Sequence, residues 1–256
     1  MPVAATVTTM ATMTTTTIPE RQASVVPRCC RGEKPASATP LSQPSLLRLM
    51  AWLSPGFPTG AFAYSHGLEW AVESHDVTSD TTLIDWLGDL LIQGTARTDT
   101  ILLRYAHRAA ADPTALRYIA DLAYATAASR ERQSESLDQG KAFMLAAVPW
   151  GIPNAPDRIP YPVAVGAVAG AHQIPEAATA TAYLLAFTTN LISAAVRLVP
   201  LGQSAGLRVL AALEPMILHT AEATADATLD DLGGCTFRSD LAAMRHETQY
   251  TRLFRS

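Results

Sequence analysis

The stretch Pro162-Val-Ala-Val-Gly-Ala-Val-Ala-Gly-Ala171 decides between two fold classes. Its β-branched run from Val163 to Val168 has the composition of a buried strand. A single strand among helices, however, has no pairing partner and would leave its backbone groups without hydrogen bonds. We therefore predict a helix from about Pro162 to Ala171, and with it an all-α fold.

Apolar residues at helical spacing recur on both sides of this stretch. The predicted helices cover residues 46–53, 67–72, 82–112, 115–128, 134–148, 162–171, 176–198 and 204–225. Thr82 and Asp85 resemble a capping box at the start of the third helix, and Pro215 is expected to bend a last helical pair. No strand-like alternation competes, so we predict a single-domain helical bundle.

Residues 1–44 differ in composition from the rest of the chain, because they are rich in Thr, Pro, Ser and Ala and poor in large apolar side chains. Such a segment cannot bury enough surface to hold a fixed shape. We predict a disordered N-terminal extension over residues 1–44 and a helical domain over residues 45–256. The extension lacks the basic and apolar regions of a secretory signal.

The longest apolar stretch, residues 182–196, is interrupted by polar residues and is shorter than the roughly 20 residues that a membrane span needs. We interpret it as a buried core helix and expect no membrane partner. Cys29, Cys30 and Cys235 cannot form a disulfide framework, which fits a reducing compartment. We therefore expect a cytoplasmic protein.

Charge and motifs argue against several functional classes. The net charge is −4 without a basic patch, so nucleic acid is not an expected partner. Gly140-Lys141 is not part of a P-loop, because Glu135 stands where that motif needs its first glycine. Ser65 has Ala63 where a nucleophile elbow needs glycine, and the six histidines are scattered. We predict no catalytic residue, no metal site and no cofactor bound by this chain alone.

Two segments are suited to interfaces. The loop SPGFPTGAFAYSHGLE, residues 54–69, combines prolines and glycines that fix its path with aromatic residues, whose internal packing the chemistry alone favours over partner binding. The C-terminal segment SDLAAMRHETQYTRLFRS, residues 239–256, ends in aromatic, aliphatic and arginine residues that are frequent at interface hot spots. A helix docked on its own core and a partner-docking tail explain this segment equally well.

Together these segments resemble the UreF family of urease accessory proteins. Further family-like phrases are SRE at 129–131 with QGK at 139–141, YPVAVG at 161–166, and RLVPLGQ at 197–203. The resemblance covers residues from about 46 to 256 in the family's order. The first 44 residues have no counterpart in it.

The resemblance implies an all-α, non-catalytic scaffold that forms a homodimer and binds a UreD/UreH-type protein. It also implies recruitment of the GTPase UreG, whose activity the scaffold modulates, for GTP-dependent nickel delivery to apo-urease. Nickel, GTP and Mg²⁺ are then handled by the partners in the complex. The partner-binding residues that the resemblance implies are Gly60, Tyr64, Ser65, Gly67, Glu69, Arg197, Pro200, Gly202, Gln203, His246, Glu247, Tyr250, Arg252, Leu253 and Phe254.

Two other functions stay open at this point. A direct nickel metallochaperone would use Cys29, Cys30 and the histidines. An all-α enzyme would use His66, Glu69 and Asp99 as acid-base groups. Stoichiometric metal binding or turnover by the isolated chain would distinguish these functions from that of a scaffold.

Overall fold

The computed structural model describes residues 40–256, and within this range the regular secondary structure is entirely helical. The α-helices, α1 to α10, are Gln43–Trp52, Leu68–Glu73, Asp80–Gln93, Thr95–Arg108, Pro113–Ala125, Arg130–Ala147, Tyr161–Ala171, Glu176–Leu198, Gln203–Ala223 and Phe237–His246. The all-α prediction is confirmed. Residues 1–39 of the predicted disordered extension, with Cys29 and Cys30, lie outside the described residues.

The stretch that decides the fold class is helix α7, which begins at Tyr161 and has Pro162 in its first turn. Gly166 and Gly170 lie four residues apart on the face that meets α4. A Cβ at Gly166 would lie 2.1 Å from the carbonyl oxygen of Leu103, and one at Gly170 would lie 2.2 Å from that of His107. The two glycines therefore let the backbones of α4 and α7 approach closely.

The predicted helix 82–112 is wrong as a single element, because Gly94 divides it into α3 and α4. Gly94 has an extended backbone, and the segment before α10 crosses it there, with the Cys235 amide donating to the Gln93 carbonyl at 3.0 Å. A Cβ on Gly94 would lie 2.9 Å from Thr236 Cγ2. The capping box is also one turn earlier than predicted, at Ser79 and Thr82.

Other helix ends differ from the prediction by a few residues, mainly because polar caps precede the apolar pattern. Ser42 caps α1 and Ser129 caps α6 by accepting a backbone N–H of the first turn, so both helices begin before their first large apolar residue. The last predicted pair is a single helix, α9, with Pro215 inside it.

Two apolar cores fill the body, and α4 and α8 contribute to both. The first core joins buried residues of α1, α4, α5, α6 and α7 with Tyr183 of α8. The second joins α2, α3, α8 and α9 with Ala96 of α4, Ala242 of α10 and Phe254. Because Phe254 belongs to this core, the last residues of the chain are packed against the body.

Helix α8 is the one helix among residues 40–256 that is long and apolar enough to cross a membrane. Half of its most apolar 18-residue window is buried inside the protein. Its buried residues, such as Tyr183 and Leu191, pack in the two cores. This packing accounts for the apolar composition of residues 182–196.

The close crossing of α4 and α7 predicts that Gly166→Ala is destabilising. The added methyl must push Leu103 and its helix away, and overpacking of this kind costs about 1–3 kcal/mol. Gly88→Ala is the matched control, since it also lies within a helix and its Cβ would meet only the side chain of Met216. Urea unfolding should show a loss for Gly166→Ala alone; equal stability of the two variants would contradict the close crossing.

Candidate functional site

The two segments that the sequence singles out lie against each other. We call residues 54–69 the loop and residues 247–256 the tail. The Ser65 amide donates to the Ser256 carbonyl at 2.7 Å, and the Arg255 amide donates to the Ala63 carbonyl at 2.8 Å. The loop and the tail therefore form one site, although about 180 residues separate them in the sequence.

Glu69 fixes the path of the tail. Its carboxylate accepts the backbone amides of Leu253 at 2.6 Å and Phe254 at 2.9 Å, and it lies 3.2 Å from Nε2 of His246. Glu69 and His246 are both buried. A buried carboxylate requires such donors, because an unpaired charge inside a protein is costly. The loop residue thus holds α10 and the tail together.

A second carboxylate, Glu131 of α6, extends this network. It lies 2.7 Å from Nδ1 of His246 and 2.7 Å from Nη1 of Arg252. His246 is therefore placed between Glu69 and Glu131. Glu247 joins from the same side by accepting the Arg130 amide at 2.9 Å. Glu131 was quoted within the resemblance, but no sequence signal gave it a role.

Two glycines shape the loop. Gly60 and Gly67 both have φ of 75°, a left-handed conformation that favours glycine. At Gly67 a side chain is also excluded by contact, because a Cβ would lie 2.5 Å from the backbone nitrogen of Ala243 in α10. Gly67 therefore allows α10, and the tail that follows it, to close on the loop.

Tyr64 and Ser65 are buried in the site, so they shape it from within. The Tyr64 hydroxyl donates to Asp138 of α6 at 3.2 Å and also hydrogen-bonds to Arg255, and burial raises the pKa of Tyr64. Ser65 is bonded to Ser256 through both its amide and its hydroxyl. At these two residues the loop packs against the body, as its composition predicts.

The tail presents different side chains inward and outward. Phe254 is 4 % exposed and lies under the Arg197 guanidinium, which is 4.5 Å from the ring centroid and also donates to the Phe62 carbonyl. Tyr250 is fully exposed and Leu253 is 65 % exposed. Phe254 and Arg197 therefore anchor the tail, while Tyr250 and Leu253 face solvent.

The remaining predicted residues lie at the turn between α8 and α9. Gly202 is the N-cap of α9 and Gln203 its first residue, and both are exposed, as is Pro200. Of the predicted cluster 197–203, Arg197 is the residue that reaches the loop and the tail.

Behind the loop lies a buried charged cluster that sequence reasoning did not assemble. Glu135 of α6 is fully buried and lies 2.6 Å from Nη1 of Arg132 and 3.0 Å from Nδ1 of His66. Arg132 also faces Asp99 of α4 at 3.9 Å, and Asp99 accepts the Tyr183 hydroxyl at 2.9 Å. Their positions in the sequence give no sign that these residues meet, and only the fold brings them together.

The two carboxyls of this cluster titrate in opposite directions. Burial raises the pKa of Asp99 to about 6, which the distant Arg132 offsets only in part. Burial acts on Glu135 too, but the charge of the adjacent Arg132, with His66, lowers its pKa to about 2. Burial and the Arg132 charge also lower the pKa of His66, so its ring is neutral near pH 7.

The candidates for acid-base and metal chemistry are placed as follows. His66 and Asp99 line one cavity with Arg132, whereas the oxygens of Glu69 are occupied by the tail amides and His246. Within residues 40–256, no three His, Cys, Asp or Glu side chains form a group that could hold a metal ion. Cys235 is free and exposed.

The contacts of Glu69 predict that Glu69→Gln loosens the tail. Gln keeps the size but loses the charge that strengthens two amide hydrogen bonds, each worth about 1.5–3 kcal/mol when the acceptor is ionised. Amide hydrogen exchange over residues 250–256 should rise about tenfold or more. Glu214→Gln, on the exposed face of α9, is the control. Unchanged tail exchange in Glu69→Gln would contradict this assignment.

The raised pKa of Asp99 predicts a pH dependence of stability. Between pH 3.8 and about 6 the folded protein holds a proton that the unfolded chain has lost, so this group's stabilising contribution is present below pH 3.8 and is lost as pH rises through 6. Between pH 4 and 7 the free energy of unfolding, measured with urea, should fall by up to about 3 kcal/mol less in Asp99→Asn than in the wild type. Asp89→Asn, exposed on α3, should keep the wild-type slope. Equal slopes for all three proteins would contradict the prediction.

Comparison with known proteins identifies the family of this chain. The family model described as UreF matches residues 77–214. Proteins named "Urease accessory protein UreF" are 53 % identical over 222 residues in Rhodopseudomonas palustris BisA53, covering 83 % of this chain and 93 % of that protein, and 52 % identical over 239 residues in strain BisB5, covering 88 % and 98 %. One from Bradyrhizobium sp. BTAi1 is 51 % identical over 230 residues, covering 86 % and 96 %. At this identity and coverage, the chain belongs to the UreF family of urease accessory proteins.

Proposed function

We propose that this protein is a non-catalytic scaffold of urease maturation, which binds a UreD/UreH-type protein and recruits the GTPase UreG for GTP-dependent nickel delivery to apo-urease. Family membership supports a role in urease maturation. The scaffold would act in the cytoplasm and modulate its GTPase by favouring one nucleotide state of that partner. Nickel, GTP and Mg²⁺ remain with the partners.

The observation that carries this proposal is the outward face of the tail. Tyr250 and Leu253 project into solvent from a backbone that Glu69 and Phe254 fix, so little ordering entropy is lost when a partner covers them. Aromatic and arginine side chains on a rigid backbone are typical of interface hot spots. We assign this face to the UreD/UreH-type protein.

Helix α10, which leads into the tail, carries an exposed apolar stripe of its own. Phe237, Leu241 and Met244 are exposed and recur at spacings of four and three residues, which places them on one side of the helix. Such a stripe on a helix that leads directly into the tail fits a groove or helix of a partner protein. The proposed docking surface therefore runs along α10 and continues to Tyr250 and Leu253.

Arg252 lies at the edge of this surface. One Nη bonds to Glu131, and 40 % of its side chain remains exposed. A guanidinium has further donors for a carboxylate or carbonyl of a partner. A lysine cannot make these contacts in the same geometry while it also binds Glu131. Arg252→Lys should therefore weaken assembly although the charge is kept.

The experiment is size-exclusion chromatography with light scattering of the full chain co-expressed with the UreD/UreH-type protein, with and without UreG, Mg²⁺ and GTP. The variant to compare is Tyr250→Ala/Leu253→Ala, because it keeps the buried Phe254 that a deletion would remove. We expect at least tenfold weaker capture of the first partner, since hot-spot side chains contribute about 1–2 kcal/mol or more each. Leu207→Ala, exposed on α9, should leave capture unchanged.

Each outcome has a meaning for the proposal. A defined complex of the full chain that captures UreG, lost in the double variant, supports the scaffold and its docking surface. A full chain that elutes alone under every condition contradicts the scaffold. Stoichiometric nickel binding by the isolated chain would instead favour a direct metallochaperone.

We also propose that the protein forms a homodimer through the face between α1 and α8. Leu46, Met50, Phe62 and Leu185 are all exposed there and line an apolar groove. A contiguous apolar surface of this kind is typical of an interaction site.

Leu185→Glu should weaken this dimer, because a charge placed in an apolar contact loses its water without gaining a partner. The mass from light scattering over a concentration series should fall toward that of a monomer at concentrations where the wild type is dimeric. Leu218→Glu, exposed on α9, is the control. A wild type that is monomeric throughout, or a Leu185→Glu variant that dimerises normally, would contradict the proposed face.

A further inference from the structure

The side chain of Glu135 joins the loop, the tail and α6 from a fully buried position. Its carboxylate lies 3.0 Å from His66 of the loop and accepts the Ser256 hydroxyl of the tail at 2.7 Å. Within its own helix it forms a salt bridge with Arg132 at 2.6 Å and accepts a hydrogen bond from Nε2 of Gln139 at 2.9 Å. It is fully buried, so each lost donor leaves part of a charge unsatisfied inside the protein.

The same cluster forms the floor of the groove between α1 and α8. The groove has a volume of about 850 Å³, and His66, Asp99, Arg132 and Glu135 line it together with apolar side chains. Asp99 is fixed from α8 through the Tyr183 hydroxyl. A change in the contacts of Glu135 therefore alters a surface that opens on the groove.

His66 is the part of this connection that has a strained backbone. Its φ of 56° is left-handed, which is uncommon for a residue with a side chain. Such a conformation persists when the surroundings determine it, and here these are Glu135, Arg132 and the ring of Phe187 at 4.9 Å. Loss of the contact between His66 and the Glu135 carboxylate therefore allows the backbone of residues 61–67 to relax.

From this geometry we infer that Glu135 is a positioning residue that couples the docked tail to the loop and to the groove floor. Withdrawal of Ser256 removes one donor from Glu135 and frees the Ser65 amide at the same time. The remaining partners, His66 and Arg132, must then readjust. Because coupling is reciprocal, whatever binds over the groove also changes how firmly the tail is docked.

This inference rests on the proposed function for its biological meaning, since it links the tail face to the face between α1 and α8. Its physical content does not need a partner. Co-purification tests the docking surface, whereas the coupling is measured on the isolated full chain. Failure of one is therefore distinguishable from failure of the other.

The test compares the wild type with Phe254→Ala, which removes the tail's apolar anchor and leaves Glu135 intact. Two quantities are measured: amide hydrogen exchange over residues 61–67 and 250–256, and the NMR signal of the His66 imidazole. Tail exchange should rise at least tenfold, loop exchange at least threefold, and the His66 signal should shift. Thr251→Ala, exposed in the same tail, should change none of them.

Two further variants separate coupling from general destabilisation. Ser256→Ala removes only the hydroxyl donor to Glu135 and should by itself shift the His66 signal. In a Glu135→Gln background, Phe254→Ala should still free the tail and, with it, the Ser65 amide, but it should no longer shift the His66 signal. A freed tail with unchanged loop exchange and an unshifted His66 signal would overturn the coupling. So would an equal rise of exchange in α3 and α9, which only loss of the whole fold explains.

Discussion

A buried carboxylate that must be satisfied is the constraint on which the site depends. Glu69 is the second residue of α2, and its side chain is buried inside the protein. The donors that compensate it come from the tail and from α10, through Leu253, Phe254 and His246. Because the desolvation cost of an unpaired carboxylate exceeds that of ordering a short segment, the tail is fixed where it supplies them.

This constraint also determines what the tail can offer. Once two successive amides point at Glu69, the side chain of Phe254 enters the second core and that of Leu253 faces solvent. Gly67 is required for the same closure, since any side chain there would meet the backbone of α10. The outward face is thus a consequence of inward bonding, and under the proposed function it needs no reordering when a partner covers it.

Much of the fold follows from the sequence, because apolar periodicity and prolines mark most helices within a few residues. The division at Gly94 was missed, since its cause is a crossing segment more than 130 residues away. The sequence marks the loop and the tail separately but does not show that they touch. The roles of Glu131 and Glu135 depend on which α6 residues face inward. A helix with charged residues on several sides gives no such signal in its sequence.

We propose that the UreD/UreH-type protein binds to the outward face of the docked tail. Photo-crosslinking tests it most directly, with a photoreactive phenylalanine analogue placed at position 250 of the full chain in the assembled complex, and at position 207 on α9 for comparison. Cross-links to the UreD/UreH-type protein are expected from position 250 and none from position 207. A complex that forms normally and gives cross-links only from position 207 would contradict it.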